Sequence, residues 1–213
     1  MNAGEREKSA TEVCSLIQRH MLDFSPHLAL SQDKNPTYSG RKSQTIHWQR
    51  PAPNHVKVNF DAAFRETTGD GAWGFVARAD DGEFIAAAAG KLKHLKDALQ
   101  AEAEAGVAAV EGAAMLGFHR VQFESDSQTL VSALKSSSHE LSEIGVLLRD
   151  ARSRCFAAFD LFEFNYCQRT CNKVAHSLAK FGYEADTECL GWTDEVPPFV
   201  SDLVASDIAV HPV

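Results

Sequence analysis

The stretch VKVNFDAAF, residues 56–64, decides how the chain is to be read. Val56, Val58 and Phe60 alternate with Lys57, Asn59 and Asp61, the period of two that marks a strand. Ala62, Ala63 and Phe64 then resume the apolar character, so Asp61 stands near the middle of a strand that reads as partly or wholly buried. A carboxylate in that position is costly unless it is paired, hydrogen-bonded or bound to a metal. Either the strand is an edge with Asp61 in water, or Asp61 has partners elsewhere in the chain.

Working outward, RETTGDG (65–71) reads as a turn, WGFVARA (73–79) as a second strand, DDG (80–82) as a tight turn and EFIAAAAGKL (83–92) as a third strand. This is an antiparallel meander. A long helix follows over about 98–116, with Asp97 as N-cap, Gln100 completing a capping box and Gly117 at the C′ position. RVQFES (120–125) is a fourth strand. DSQTLVSALK (126–135) is a short helix opened by a Ser125–Gln128 box. Residues 140–155 are helical, with Leu141, Ile144, Leu148, Ala151 and Cys155 on one stripe. FDLFEFNY (159–166) alternates as a fifth strand, and NKVAHSLAKF (172–181) is a last helix stopped by Gly182. The order βββαβααβα predicts an α/β fold, a five-stranded mixed sheet flanked by helices.

In the other direction, residues 10–22 carry Val13, Leu16 and Ile17 on one helical face, and SPHLALSQDKNPTYSGRKSQ (25–44) is a linker by composition. The expected organisation is an N-terminal helix and linker over 1–47, a compact domain over 48–186 and a C-terminal extension over 187–213.

The net charge is −8, divided unevenly: residues 1–50 hold seven Lys/Arg and five Asp/Glu, leaving 14 and 24 for residues 51–213. Such a domain lacks the broad basic face of a typical duplex binder, so any phosphate contacts come from local patches. No apolar run approaches the roughly 18 residues of a membrane helix, and the polar N-terminus MNAGEREKSA does not read as a secretory signal. With five scattered cysteines, an odd number, reduced thiols in an intracellular compartment, nuclear or cytoplasmic, are expected. The spacing of Cys167, Cys171 and His176 is similar to a zinc knuckle, but the next cysteine, Cys189, lies 13 residues on.

Three acids stand out. At about 100° per residue, Glu102 lies on the stripe of Ala105, Ala109, Ala113 and Leu116, so it points toward whatever the helix packs against. Glu104 and Glu111 fall on the opposite face, expected in solvent. Asp126 follows an apolar strand and opens a helix, at a strand-to-helix switch where site residues gather. Carboxylates that cluster repel one another unless a cation holds them. Hard oxygen donors without nearby Cys or His suit Mg²⁺ or Mn²⁺, and two such ions in a carboxylate nest are the apparatus of phosphodiester hydrolysis.

The ordered set VNFDAAF, AWGFVARADDG, AEAEA, FESDSQTLV and CNKVAHSLAKFG resembles type 1 ribonuclease H, most closely the plant subfamily found in non-LTR retroelements and in stand-alone genes derived from them. The lead-in W-x-x-P-x-P-x-x-V-K-V-N, Trp48 to Asn59, and PPFVSDLVASD near the C-terminus are similar to that subfamily as well. The resemblance covers about residues 46–207. It implies the ribonuclease H-like fold and Mg²⁺-dependent cleavage of the RNA strand of an RNA–DNA hybrid; a monomer with no membrane partner is expected. It carries over the strand acid to Asp61, the helix glutamate to Glu102 and the D-S aspartate to Asp126, as catalytic residues and metal ligands. A fourth acid is usual in the context that Asn172 to Ala179 matches, and here His176 takes its place. Asp97, Ala98 and Leu99 stand where cellular members often have Thr-Asn-Asn, residues that contact RNA 2′-hydroxyls. A basic handle helix is replaced by SSSHELSEIG. Lys91, Lys93 and Lys96 are then the candidate phosphate contacts. The alternative function is a retroelement-derived module that keeps the fold and binds nucleic acid or protein with little turnover.

Overall fold

The computed structural model describes residues 12, 14–16, 47–136, 144–193 and 195–209. Its centre is a mixed sheet of β1 (Val56–Arg65), β2 (Asp70–Arg78), β3 (Phe84–Leu92), β4 (Arg120–Ser125), β5 (Leu161–Tyr166) and β6 (Cys189–Trp192), in the order β5-β4-β1-β2-β3-β6. β1 pairs antiparallel with β2 and parallel with β4. It is therefore an interior strand, and the edge reading of Asp61 falls away.

Among the described residues, helices α1 (Ala98–Met115), α2 (Gln128–Lys135), α3 (Gly145–Ala158), α4 (Lys173–Glu184) and α5 (Ser201–Ala209) flank the sheet. The alternation along the strands feeds two different layers. Val58 and Phe60 enter one core with Trp73, Phe75 and the small-residue face of α1. Val76, Ala87 and Ala89 face the other way, onto Val174 and Leu178 of α4 and Val200 and Val204 around α5. Small residues let these helices lie close. A Cβ on Gly74 of β2 would collide with the α4 backbone at Leu178 and Ala179.

The expected five-stranded sheet gains a sixth strand, β6, which pairs antiparallel with β3 from Gly90↔Cys189 to Ala87↔Trp192. Four residues with a glycine among them carry too little periodicity to be read as a strand. The short helix is capped by Ser127, whose side chain accepts the Leu130 N–H, not by a Ser125–Gln128 box; the Ser125 hydroxyl accepts the Ser127 N–H. The N-cap of α1 is Asp97 as expected, but Gln100 returns its side chain to Lys96 N–H. Gly117 adopts a left-handed φ of 73° after α1. Glu111, expected in solvent, is buried and paired at 3.1 Å with Arg154 of α3, and Glu104 is half-buried. The helix read over 140–155 runs over 145–158, its first residues 140–143 lying outside the described ones. Of the helix expected over 10–22, residues 12 and 14–16 are described and helical; the linker read over 25–44 lies outside the described residues.

Candidate active site

Three elements deliver one acid each to the same place. Asp61 lies in the interior of β1 and is 4% exposed. The parallel register Asn59↔Glu124 continues to bring Asp126, just past the end of β4, level with Asp61. On α1, Gly106 rests on the Phe60 ring, which fixes the helix over β1 and leaves Glu102, one turn earlier, above Asp61. One carboxylate oxygen from each of Asp61, Glu102 and Asp126 falls within 4.8 Å of the others.

The electrostatics of this nest are unfavourable as it stands. Burial, and then the charge of Asp126, raise the Asp61 carboxyl to about 6, although His176 pulls against them. Burial, and then the charges of Asp61 and Asp126, push Glu102 to about 9, with the Arg169 guanidinium opposing. Glu102 Oε2 is buried and has no hydrogen-bond partner. An orphaned buried carboxylate oxygen beside two other carboxylates is the donor set of a hard divalent cation, all oxygen and no sulfur.

His176 of α4 places Nδ1 2.7 Å from Asp61 Oδ2, while its Nε2 stands 3.3 Å from Nη2 of Arg169. A guanidinium only donates, so Nε2 presents its lone pair and Nδ1 carries the hydrogen donated to Asp61. The imidazole thereby fixes one oxygen of Asp61. Asn172, at the start of α4, makes no capping bond to the helix. Its amide instead donates to Phe60 O at 2.9 Å and to Asp126 Oδ1 at 3.2 Å, tying β1 to the third acid. Neither Asn172 nor Arg169 was singled out from the sequence as a site residue. An asparagine opening a helix reads as an ordinary cap, and only the structure shows the side chain turned away from that task.

Lys91 and Lys93 come together at the end of β3, around a cavity they share with Asp70, Gly71 and Tyr183; Lys93 is 3.3 Å from Asp70. Lys96 lies apart from them, in the loop before α1. None of the three belongs to the acidic nest. Cys167 and Cys171 pack against Trp48 as buried thiols, while His176 is turned to Asp61. Among the described residues the three acids are the group with metal-ligand geometry, and the zinc spacing has no counterpart in space.

The sequence profile of the reverse transcriptase-like family matches residues 59–182, which span Asp61, Glu102, Asp126, His176 and most of the helix that carries it. Among solved structures, ribonuclease H1 from the halophilic archaeon Halobacterium salinarum is similar at 27% identity and a TM-score of 0.56, covering 61% of this chain and 98% of that one. LC11-RNase H1, isolated from compost by a metagenomic approach, is similar at 18% identity and a TM-score of 0.56, covering 62% and 96%. Its complex with an RNA/DNA hybrid aligns at 17% identity and a TM-score of 0.54, covering 61% and 96%. No curated protein matches by sequence.

Proposed function

As this chain belongs to the reverse transcriptase-like family, we propose that it is a metal-dependent endonuclease that hydrolyses the RNA strand of RNA–DNA hybrids. The observation that carries this reading is the convergence of Asp61, Glu102 and Asp126, with Glu102 Oε2 buried and unpartnered. The hybrid complex of a structural neighbour supports the substrate class. Asp61, Glu102 and Asp126 would hold two Mg²⁺ or Mn²⁺ ions, which supply water activation and charge stabilisation for phosphodiester hydrolysis, giving 5′-phosphate and 3′-hydroxyl ends. The protein's part is positional. His176 fixes Oδ2 of Asp61 and leaves the other oxygen to the nest. Asn172 holds Asp126 against β1. Arg169 brings a cation to the rim, where the phosphate being cleaved would add negative charge. Lys91, Lys93 and Lys96 serve as contacts to the nucleic-acid backbone.

The test is cleavage of an end-labelled hybrid with Mg²⁺ and with Mn²⁺. Asp61→Asn removes a charge and little volume, so it should abolish cleavage and leave the fold intact; near wild-type cleavage by this variant refutes the assignment. The His176–Asp61 bond favours a second reading, since it occupies an oxygen of the first acid: a module that binds hybrid without cutting it. Hybrid binding with no cleavage under either metal is the result that would select it.

A further inference from the structure

Away from the acids, the ends of the meander form a polar cavity of about 110 Å³, lined by Asp70, Gly71, Lys91, Lys93 and Tyr183. Arg65, the last residue of β1 and exposed, lies with its guanidinium 4.7 Å from the centre of the Tyr183 ring. Arg65 also pairs in register with Asp70 across β1 and β2, so it stands at the rim of this cavity. Asp70 is the one acid in the lining, and it is 3.3 Å from Lys93, which holds its carboxyl below the ordinary value. Among the described residues no carboxylate pairs with Arg65 or Lys91. In a protein of net charge −8, this spot is locally cationic and offers guanidinium, ammonium and phenol donors around a space large enough for several water-sized groups.

Its place relative to the acids follows from two independent tracks. Along β1, Asp61 and Arg65 are four residues apart with an unbroken register, so they share a face about 13 Å apart. Along α4, His176 and Tyr183 are seven residues apart, two turns and about 10 Å on one side of the helix. His176 touches Asp61 at one end of this ladder and Tyr183 meets Arg65 at the other. The strand and the helix together therefore set the cavity at 10–13 Å from the nest, on the same face of the sheet.

We infer that this cavity is a phosphate site for the substrate's backbone, built by Arg65, Lys91, Lys93 and Tyr183, which sets the register of the strand over the carboxylates. The inference rests on the nuclease reading for its substrate and adds where the strand is held. Successive phosphates of one strand lie farther apart than the roughly 3.4 Å rise along the helix axis, so the phosphate gripped here lies fewer than about four nucleotides from the one at the acids. A guanidinium laid on an aromatic ring is pre-organised to receive an anion, because its position costs little further ordering.

The experiment measures binding of a short RNA–DNA hybrid by fluorescence anisotropy in EDTA, over a range of salt, for wild type, Arg65→Gln, Lys91→Gln and the double variant. Each single variant should bind several-fold more weakly and reduce the slope of log K against log salt by about 1. A hybrid in which single phosphates are replaced in turn by neutral methylphosphonates should show one linkage whose replacement weakens the wild type and leaves the double variant unchanged. Unchanged affinity and slope in the variants, or losses that add at every linkage, would overturn the site. Because binding is read without metal, a wild type that binds with these signatures yet never cleaves refutes the nuclease reading alone. A wild type that cleaves while the variants bind and cleave as it does refutes the phosphate site alone.

Discussion

Replacing Glu102 by glutamine should make the metal-free protein more stable while abolishing cleavage. In the folded protein, burial and the charges of Asp61 and Asp126 raise this carboxyl from an ordinary 4.5 to about 9. A raised acid binds its proton more tightly in the folded than in the unfolded state. The penalty is therefore absent below pH 4.5, grows as the unfolded chain ionises and stops growing above pH 9. At pH 7 the unfolded carboxyl has gained the free energy of ionisation over about 2.5 units while the folded one stays protonated, a cost of about 3 kcal/mol. Glutamine titrates nowhere in this range, so urea unfolding in EDTA should show Glu102→Gln gaining on the wild type by up to this amount between pH 4.5 and pH 7. Added Mg²⁺ should then stabilise the wild type, since a ligand of the folded state shifts the equilibrium by mass action, and should do so far less in the variant. A stability difference that stays flat with pH, or a variant less stable than the wild type at pH 7 in EDTA, would refute the account of the nest as a site held together by a cation.

Glu104→Gln should retain cleavage where Glu102→Gln loses it, because Glu104 is outside the acidic group; a hybrid-cleavage assay on the two variants side by side reads this directly. The wild type should cleave weakly with Mg²⁺ and relatively better with Mn²⁺, since His176 leaves the site less negative than a fourth acid would and Mg²⁺ gives up its waters reluctantly; His176→Asp should raise Mg²⁺-dependent turnover, and His176→Ala with unchanged rate and metal preference would remove the residue from the site. Gly74→Ala should destabilise the protein by about 1–3 kcal/mol in urea unfolding, because the new methyl group meets the α4 backbone rather than a movable side chain, and should lower cleavage with it by shifting His176.

How far the site was legible depends on whether a residue's task leaves a local trace. Asp126 could be found because it stands at the end of an apolar strand, and Glu102 because it interrupts a stripe of small residues facing the sheet. Glu111 misled for a reason visible in α1: the helix is so rich in alanine that its outward side also accepts a neighbour, and α3 buries the acid there against Arg154. Arg169 and Asn172 act through partners 7 to 112 positions away, and nothing beside them in the chain announces that. β6 left no trace because four residues are shorter than the pattern that would identify them.

The alternation in VKVNFDAAF is a different case, because its period told of a strand but not of which face is wet. Neither face is: Lys57, Asn59 and Asp61 are 4%, 0% and 4% exposed. Two of these three are accounted for by complementary partners. Lys57 meets Glu124 at 2.6 Å, and Asn59 receives hydrogen bonds from Trp48 and Arg78 and donates to Glu124. Asp61 has His176, but it also faces two further acids, Glu102 and Asp126. Pairing explains how the first two residues are tolerated inside the sheet, since each replaces the water it lost. It does not explain Asp61, because one imidazole does not offset three carboxylates ionised together. The excess negative charge at that point of the strand has no purpose in packing, and a divalent cation is what the same atoms would be arranged to hold.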